Sequence, residues 1–282
     1  MDKVALIEDG AVLVSSGPLH MTIKAYRRGI PLTGLARSGA DFALEILRQQ
    51  AESLPVVKQR IVGLSLEKEY PEVVNIMISS CQRINDPLLT PLAAVAGAAS
   101  DMVADYMANY NATKIAVDNG GDIAIRIKGD ESVKVGLRLN LARPEFNYIL
   151  LVDRDCGLCT SGFGGRSFTL GVADGVSVLA QKAAVADAAA TFLANRTTVD
   201  SPEIKRATAE SIYPETDIPG LKVTQSIGVL NEGEIETAIE KGKAEAIKLM
   251  KKKLIHGAMF SVKNRVASVG CFKSAERVEN NN

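Results

Sequence analysis

Apolar residues in this chain recur at two spacings, and the change from one to the other marks its elements. Alternation, or a short apolar run closed by turn residues, predicts a strand; apolar positions three and four apart predict a helix. Residues 4–7 and 11–14 read as strands flanking Glu8-Asp9-Gly10, a hairpin signal, and residues 21–26 add a third strand. Ser38 opens a helix, with Asp41 three positions on and Phe42, Ala43, Ile46 and Leu47 at helical spacing. Residues 71–84 fit either period. Between 91 and 110, Leu92, Val95, Ala99, Met102, Val103 and Tyr106 predict a buried helix. Strands dominate from there to residue 180, at 114–118, 123–127, 132–139, 148–152, 167–171 and 176–180. Two short helices follow, one the alanine-rich stretch 183–195, then a strand at 221–230. Asn231 caps a long amphipathic helix carrying Ile235, Ile239, Ile247, Met250 and Leu254, and residues 259–262 and 265–269 form a last hairpin. No repeat of 30–45 residues and no βαβ alternation is present. The order predicts an α+β fold, a mostly antiparallel sheet with packed helices.

On the helix at 183–195, Asp187 and Thr191 lie four residues apart, so a carboxylate and a hydroxyl share one face. Two hard oxygens on an apolar helix suit Mg²⁺, which keeps several waters and completes its shell from a phosphate. The plainer alternative is a buried Asp acting as a cap and a Thr bonding back to its own helix. Upstream, the strand at 114–118 runs into Asn119-Gly120-Gly121-Asp122 and a second strand. Its glycines supply the positive φ of a tight hairpin and let a ligand approach the backbone. Behind the strand at 148–152, the stretch 156–167 gathers Cys156, Cys159, Thr160, Ser161, Gly162, Gly164, Gly165 and Arg166. Bare amides and a guanidinium can cradle phosphate oxygens, although a glycine-rich hairpin would read the same way. Neither GxxxxGK[ST] nor GxGxxG occurs in the chain.

Taken in order, these residues resemble the ApbE superfamily, whose characterised members are Mg²⁺-dependent FAD:protein FMN transferases. The family pattern is a glycine-bearing helix ending in Asp, a strand–GGD–strand, a Thr-Ser-Gly loop and an alanine-rich A-D-x-x-x-T helix. Here these are Gly97 with Asp101, Gly120-Gly121-Asp122 after Val117-Asp118-Asn119, Thr160-Ser161-Gly162, and Ala186-Asp187 through Thr191. The resemblance is close over residues 90–196 and loose at the ends. It implies an ApbE-like, T-fold-related structure in which Asp187 and Thr191 hold Mg²⁺ (or Mn²⁺) near the Gly121 backbone. It also implies a site for FAD or FMN lined by Asn119, Gly120, Gly121, Asp122, Thr160, Ser161, Gly162, Gly164 and Gly165; Arg166, whose fork suits phosphate, is a candidate catalytic group from the residue reading alone. Two departures stand out. Ala96 occupies the place of the family Lys before the helix glycine, and residues 166–174 lack the His and Pro of the family's H-x-x-D-P segment.

At 282 residues and 46% apolar content, with no linker-like stretch, the chain reads as one domain over 1–270 followed by a disordered polar tail over 271–282. Basic and acidic residues balance at 33 each, which removes any electrostatic case for nucleic acid or a membrane surface. The N-terminal residues carry no secretion signal, and no apolar run would span a bilayer, so a cytoplasmic location is expected. Self-association is compatible with the sequence. Four cysteines do not make a secreted disulfide framework, but the Cys156-x-x-Cys159 spacing suits a redox dithiol. Three functions follow: an ApbE-type protein binding a flavin or related nucleotide through Mg²⁺, with transfer or hydrolysis at its pyrophosphate; a thiol protein or enzyme of sulfur metabolism acting through Cys156 and Cys159; or a flavin- or nucleotide-binding protein without catalysis.

Overall fold

The N-terminal hairpin forms where the alternation places it. In the computed structural model, which describes residues 3–141 and 145–278, β1 (Lys3–Leu6) pairs antiparallel with β2 (Val12–Ser16), Val4 lying opposite Val14. β3 (Leu19–Arg27) follows and pairs with β2 and with the short β4 (Ile30–Pro31). α1 (Thr33–Glu52) starts five residues before Ser38, because Leu32, Leu35 and Ala36 already pack on the core. After α2 (Leu54–Val57), the ambiguous stretch is helical as α3 (Glu72–Ile84), with Val73, Val74, Met77, Ile78, Cys81 and Ile84 buried at helical spacing. A 3₁₀ turn leads into α4 (Val95–Ala108).

The remaining strands are β5 (Lys114–Asn119), β6 (Ile123–Ile127), β7 (Val133–Leu137), β8 (Tyr148–Val152), β9 (Cys156–Ser161) and β10 (Gly175–Ala180). Then come α5 (Ala183–Arg196), β11 (Ile204–Thr208), α6 (Ala209–Ile212), β12 (Lys222–Ile227), α7 (Glu232–Lys251), β13 (Gly257–Val262), β14 (Arg265–Gly270) and β15 (Glu276–Arg277). The main sheet runs β1-β2-β3-β5-β6-β9-β10-β13-β14 with β4 on β3, every pairing antiparallel. Its helix side carries the larger core, built from Ile23, Val117, Val178 and Phe260 with Ile46, Met77, Val103 and the alanines of α5. A smaller core fills the opposite face beneath β7, β8 and β15, around Ile125, Leu137, Leu158 and Phe272. The expected α+β class with a mostly antiparallel sheet is the observed one.

Three local expectations need correction. The Cys156–Ser161 stretch, read as a loop, is strand β9 at the centre of the sheet. Residues 167–171 are not a strand. The Leu170 amide turns to the end of α5 instead, donating to Asn195 Oδ1 (2.9 Å), and a Cβ on Gly171 would strike Ala194 O. The tail is placed as far as Val278: Cys271–Ser274 make a 3₁₀ turn that buries Phe272, and β15 pairs with β8, so this part is ordered by core contacts. The rest of the tail lies outside the described residues. Asn231 does cap α7, in a reciprocal box with Glu234.

Candidate functional site

The β5–β6 hairpin is built to turn tightly and to hold its tip open. Gly120 and Gly121 adopt φ of 69° and 104°, which only glycine takes without strain, and Asp118 Oδ1 accepts from Gly121 N at 2.7 Å. A Cβ on Gly121 would meet nothing within 4 Å. Ser100 of α4 ties the hairpin to the helices by donating to Asp122 O (2.7 Å). Two other glycines serve packing. A Cβ on Gly97 of α4 or on Gly157 of β9 would strike the backbone at Ala183, so the first turn of α5 is wedged between them.

That wedge lets α4 and α5 cap each other. Neither N-cap residue, Ala94 or Lys182, offers a side-chain bond. Instead Asp187 Oδ2 accepts from Gly97 N (2.9 Å) and Asp101 Oδ2 accepts from Ala184 N (2.9 Å), satisfying first-turn amides across the pair. The capping alternative for Asp187 therefore holds for one of its oxygens.

The rest of Asp187 faces a second acid. Burial pushes its carboxyl well up, and the neighbouring Asp122 adds to the rise against the Gly97 and Ala96 amides and Arg166. Asp122 is likewise raised, first by burial and then by Asp118, against hydrogen bonds from Cys159 and the Thr160 amide and the pull of Arg166. Asn119 Oδ1 and Asp122 Oδ1 are buried and have no hydrogen-bond partner among the described residues. The guanidinium of Arg166 is tethered by donating to Pro18 O (2.8 Å) and lies against Gly120. On α5, Asp187, Thr191 and Asn195 are the only positions between Ala183 and Asn195 that are not fully buried, and Asn195 is engaged by Leu170. What remains on α5 is a carboxylate and a hydroxyl four residues apart, with Asp122 acting on the carboxylate. Those hard oxygens fit a Mg²⁺ or Mn²⁺ ion better than they fit one another. Among the described residues no group of three or more His, Cys, Asp and Glu is placed to hold a metal ion.

The dithiol reading is overturned by strand geometry. Successive side chains of a strand point to opposite faces, so residues three apart cannot share one. Cys159 lies in the helix-side core and Cys156 in the core on the other face. Both are buried, and burial pushes the Cys156 thiol up to about 12 and that of Cys159 well above its ordinary value. Neither is a ready thiolate. The same alternation separates Thr160, which bonds Ser177 (2.8 Å) on the far face, from Ser161 on the helix side. Gly162 lies close against the backbone of Ala173, Asp174 and Gly175, and Gly165 N donates to Gly162 O at 3.3 Å, so the Gly162–Gly165 segment closes on itself. Asp118, Ser100 and the Ala96 amide had not been read as site groups. Only Asp118 carried a signal, because an Asp before Asn-Gly is an Asx-turn former.

The family model described as AbpE bacteria matches residues 4–269 of the chain. A UPF0280 protein of Methanopyrus kandleri is 38% identical over 161 residues, 56% of this chain and 63% of its own length, so the chain spans less than two thirds of that relative. A UPF0280 protein of Methanococcus vannielii is 31% identical over 198 residues, 68% of this chain and 78% of its own. Among solved structures, the Vibrio cholerae flavin transferase ApbE aligns over 96% of this chain and 97% of its own at 12% identity and a TM-score of 0.43. The apo Pseudomonas stutzeri flavinyl transferase ApbE covers 95% of each chain at 13% identity and a TM-score of 0.41.

Proposed function

This chain belongs to the AbpE bacteria family, a part of the ApbE superfamily, and we propose that it binds a flavin nucleotide, FAD or FMN, through Mg²⁺ (or Mn²⁺) at Asp187 and Thr191. The observation that carries this reading is the pair of neighbouring acids, Asp122 and Asp187, one with a buried oxygen that has no partner among the described residues. Burial and then Asp122 raise the Asp187 carboxyl, Arg166 is the cation acting on both, and Asp122 Oδ1 and Asn119 Oδ1 are buried without a partner among the described residues. Unpaired buried charge is costly, and a bound divalent cation relieves it. When bound, the ion would offset charge developing on a pyrophosphate leaving group. Asp187 would bind it with one oxygen while the other stays on Gly97 N, which fixes the carboxylate's direction. The Gly120–Gly121 turn gives the nucleotide access to bare backbone, and Arg166 is placed to meet phosphate oxygens. Ser100 and Asp118 hold the turn in place.

Binding with at most slow pyrophosphate cleavage is favoured over efficient flavin transfer. Position 96 offers only a backbone amide, and residues 166–174 contain no His to act near the phosphate. Loss of one preorganised transition-state donor costs about 10²–10³ in rate. Purified protein incubated with FAD and Mg²⁺ should retain yellow chromophore, with AMP and FMN released slowly and little covalent flavin on an acceptor peptide. Absence of Mg²⁺-dependent flavin binding would refute the reading. Covalent transfer at the rate of an ordinary transferase would refute the ranking of its activities.

A further inference from the structure

Strand β9 reaches the acid pair through one further side chain. Its ladder with β6 pairs Ile123 with Leu158 and Ala124 with Gly157, so Asp122 and Cys159 come next, opposite each other where the pairing ends. Opposite residues of an antiparallel pair point to one face. Ala124 and Cys159 both lie in the helix-side core, and alternation puts Asp122 on the face of Ala124. Cys159 is fully buried, and its thiol donates to Ala183 O at 3.2 Å. Two residues back on the same face, Gly157 leaves the Ala183 backbone room to sit on the strand. In a helix the Ala183 carbonyl also receives the amide four residues on, which is that of Asp187. One thiol therefore stands between the strand position of Asp122 and the helix turn that leads to Asp187.

We propose that Cys159 is a positioning residue: its hydrogen bond to Ala183 O ties the first turn of α5 to β9, fixes the spacing of the Asp187 and Asp122 carboxylates, and so selects a small divalent cation over a large one. The inference rests on the metal reading above and deepens it by naming what decides the ion. The sulfur is no ligand in this arrangement. Burial, then Asp122 and Asp187, keep the thiol protonated, and a hard ion takes oxygen. Asp122 Oδ1, buried without a partner among the described residues, is the oxygen left over for the ion. Mg²⁺ demands regular geometry with oxygens at about 2.0–2.1 Å, whereas Ca²⁺ accepts irregular shells at about 2.3–2.6 Å. A bond that holds two carboxylates at one spacing therefore matters much for Mg²⁺ and little for Ca²⁺.

The test is Mn²⁺ binding followed by electron paramagnetic resonance, with Mg²⁺ and Ca²⁺ as competitors, in the presence and absence of FAD. The proteins are the wild type, Cys159→Ala, Cys159→Val and Cys159→Ser, with metal-free melting temperatures to establish that each folds. In Cys159→Ala the Mg²⁺ affinity should fall roughly tenfold while Ca²⁺ affinity changes little, and Cys159→Ser, which keeps a donor, should hold both. Cys159→Val fills the space without a donor and should behave as Cys159→Ala does, so it carries the test if the alanine variant does not fold. An unchanged ratio of Mg²⁺ to Ca²⁺ affinity in both would overturn the positioning role and leave the metal reading standing. A serine variant as impaired as the alanine one would also overturn it, because packing rather than the bond would then matter. Wild-type protein that binds no Mn²⁺, with or without FAD, would overturn the metal reading and this role with it.

Discussion

Asp101 and Asp187 each accept a first-turn amide of the other central helix, at 2.9 Å in both cases, and then part company. The second oxygen of Asp101 meets Arg126 Nη2 at 2.7 Å, Arg126 Nε reaches Asp105 at 2.6 Å, and Lys182 closes the set on Asp105 at 2.7 Å. Two acids and two cations, all from the chain, balance where β6, α4 and α5 meet. Asp187 instead has Asp122 as an acidic neighbour, and Asp122 Oδ1 is one of two buried oxygens without a partner among the described residues. One network closes without help and serves the fold. The other relies on Arg166 for both acids and leaves Asp122 Oδ1 without a partner among the described residues, which is the feature the proposed cation would answer.

Removing the cation of the closed network is the harshest test of that contrast. Arg126→Ala leaves Asp101 buried and unpaired and should cost about 3–5 kcal/mol in urea denaturation. A loss below about 1 kcal/mol would mean that the network adds little beyond packing. At the open site, Asp187→Asn keeps an oxygen for Gly97 N but removes the charge. Its expected effect is about a hundredfold loss of Mg²⁺-dependent nucleotide affinity in calorimetry, with the metal-free melting temperature held or raised. The matching Asp101→Asn should lower the melting temperature instead, since it strips Arg126 of a partner. If Asp187→Asn behaves like Asp101→Asn, the two acids are not different in kind.

Gly97→Ala probes the contact on which both caps depend. Its Cβ would strike the Ala183 backbone, which cannot rotate away, so a loss of about 1–3 kcal/mol and weaker nucleotide binding are expected together. The smallest effect concerns acid. Burial alone would raise the Asp105 pKa, but Arg126 and Lys182 outweigh it and the net shift is downward from 3.8. A folded pKa below the unfolded one stabilises the protein above the unfolded value, and that contribution fades as pH falls through the folded value. Asp105→Asn should therefore melt lower than wild type at neutral pH, the gap closing as the pH falls below 3.8 and through the folded value. Because Asp105 is nearly half exposed, with a side chain 47% accessible, the gap should be modest.

Much of the architecture was legible because its signals are local. Asn231 and Glu234 sit at capping-box spacing, the β1–β2 turn lies between two alternating runs, and Asp187 and Thr191 fall on the one line of α5 that the core does not cover. The misreadings share a cause. The stretch from Cys156 to Ser161 has the residues of a loop, yet Gly157 within it is glycine because Ala183 leaves no room for a side chain. Leu170 looked like part of a strand, but its amide is claimed by Asn195 of a helix that comes later in the chain.

By itself the sequence determined the class of fold and the family, since periodicity, turn chemistry and motif order are written within a few neighbours. It could not tell which face a residue would take once register was set. That is why Cys156 and Cys159 resembled a dithiol until β9 placed them in different cores. Nor could it say which carboxylates would find a cation. Asp101 and Asp187 are alike in sequence terms, an Asp in the midst of an alanine-rich helix. Only the packing of β6 against α4 gives Asp101 its Arg126, and only the turn at Gly120 and Gly121 brings Asp122 toward Asp187. Charge balance is a property of neighbours in space, so the tertiary structure alone decided it.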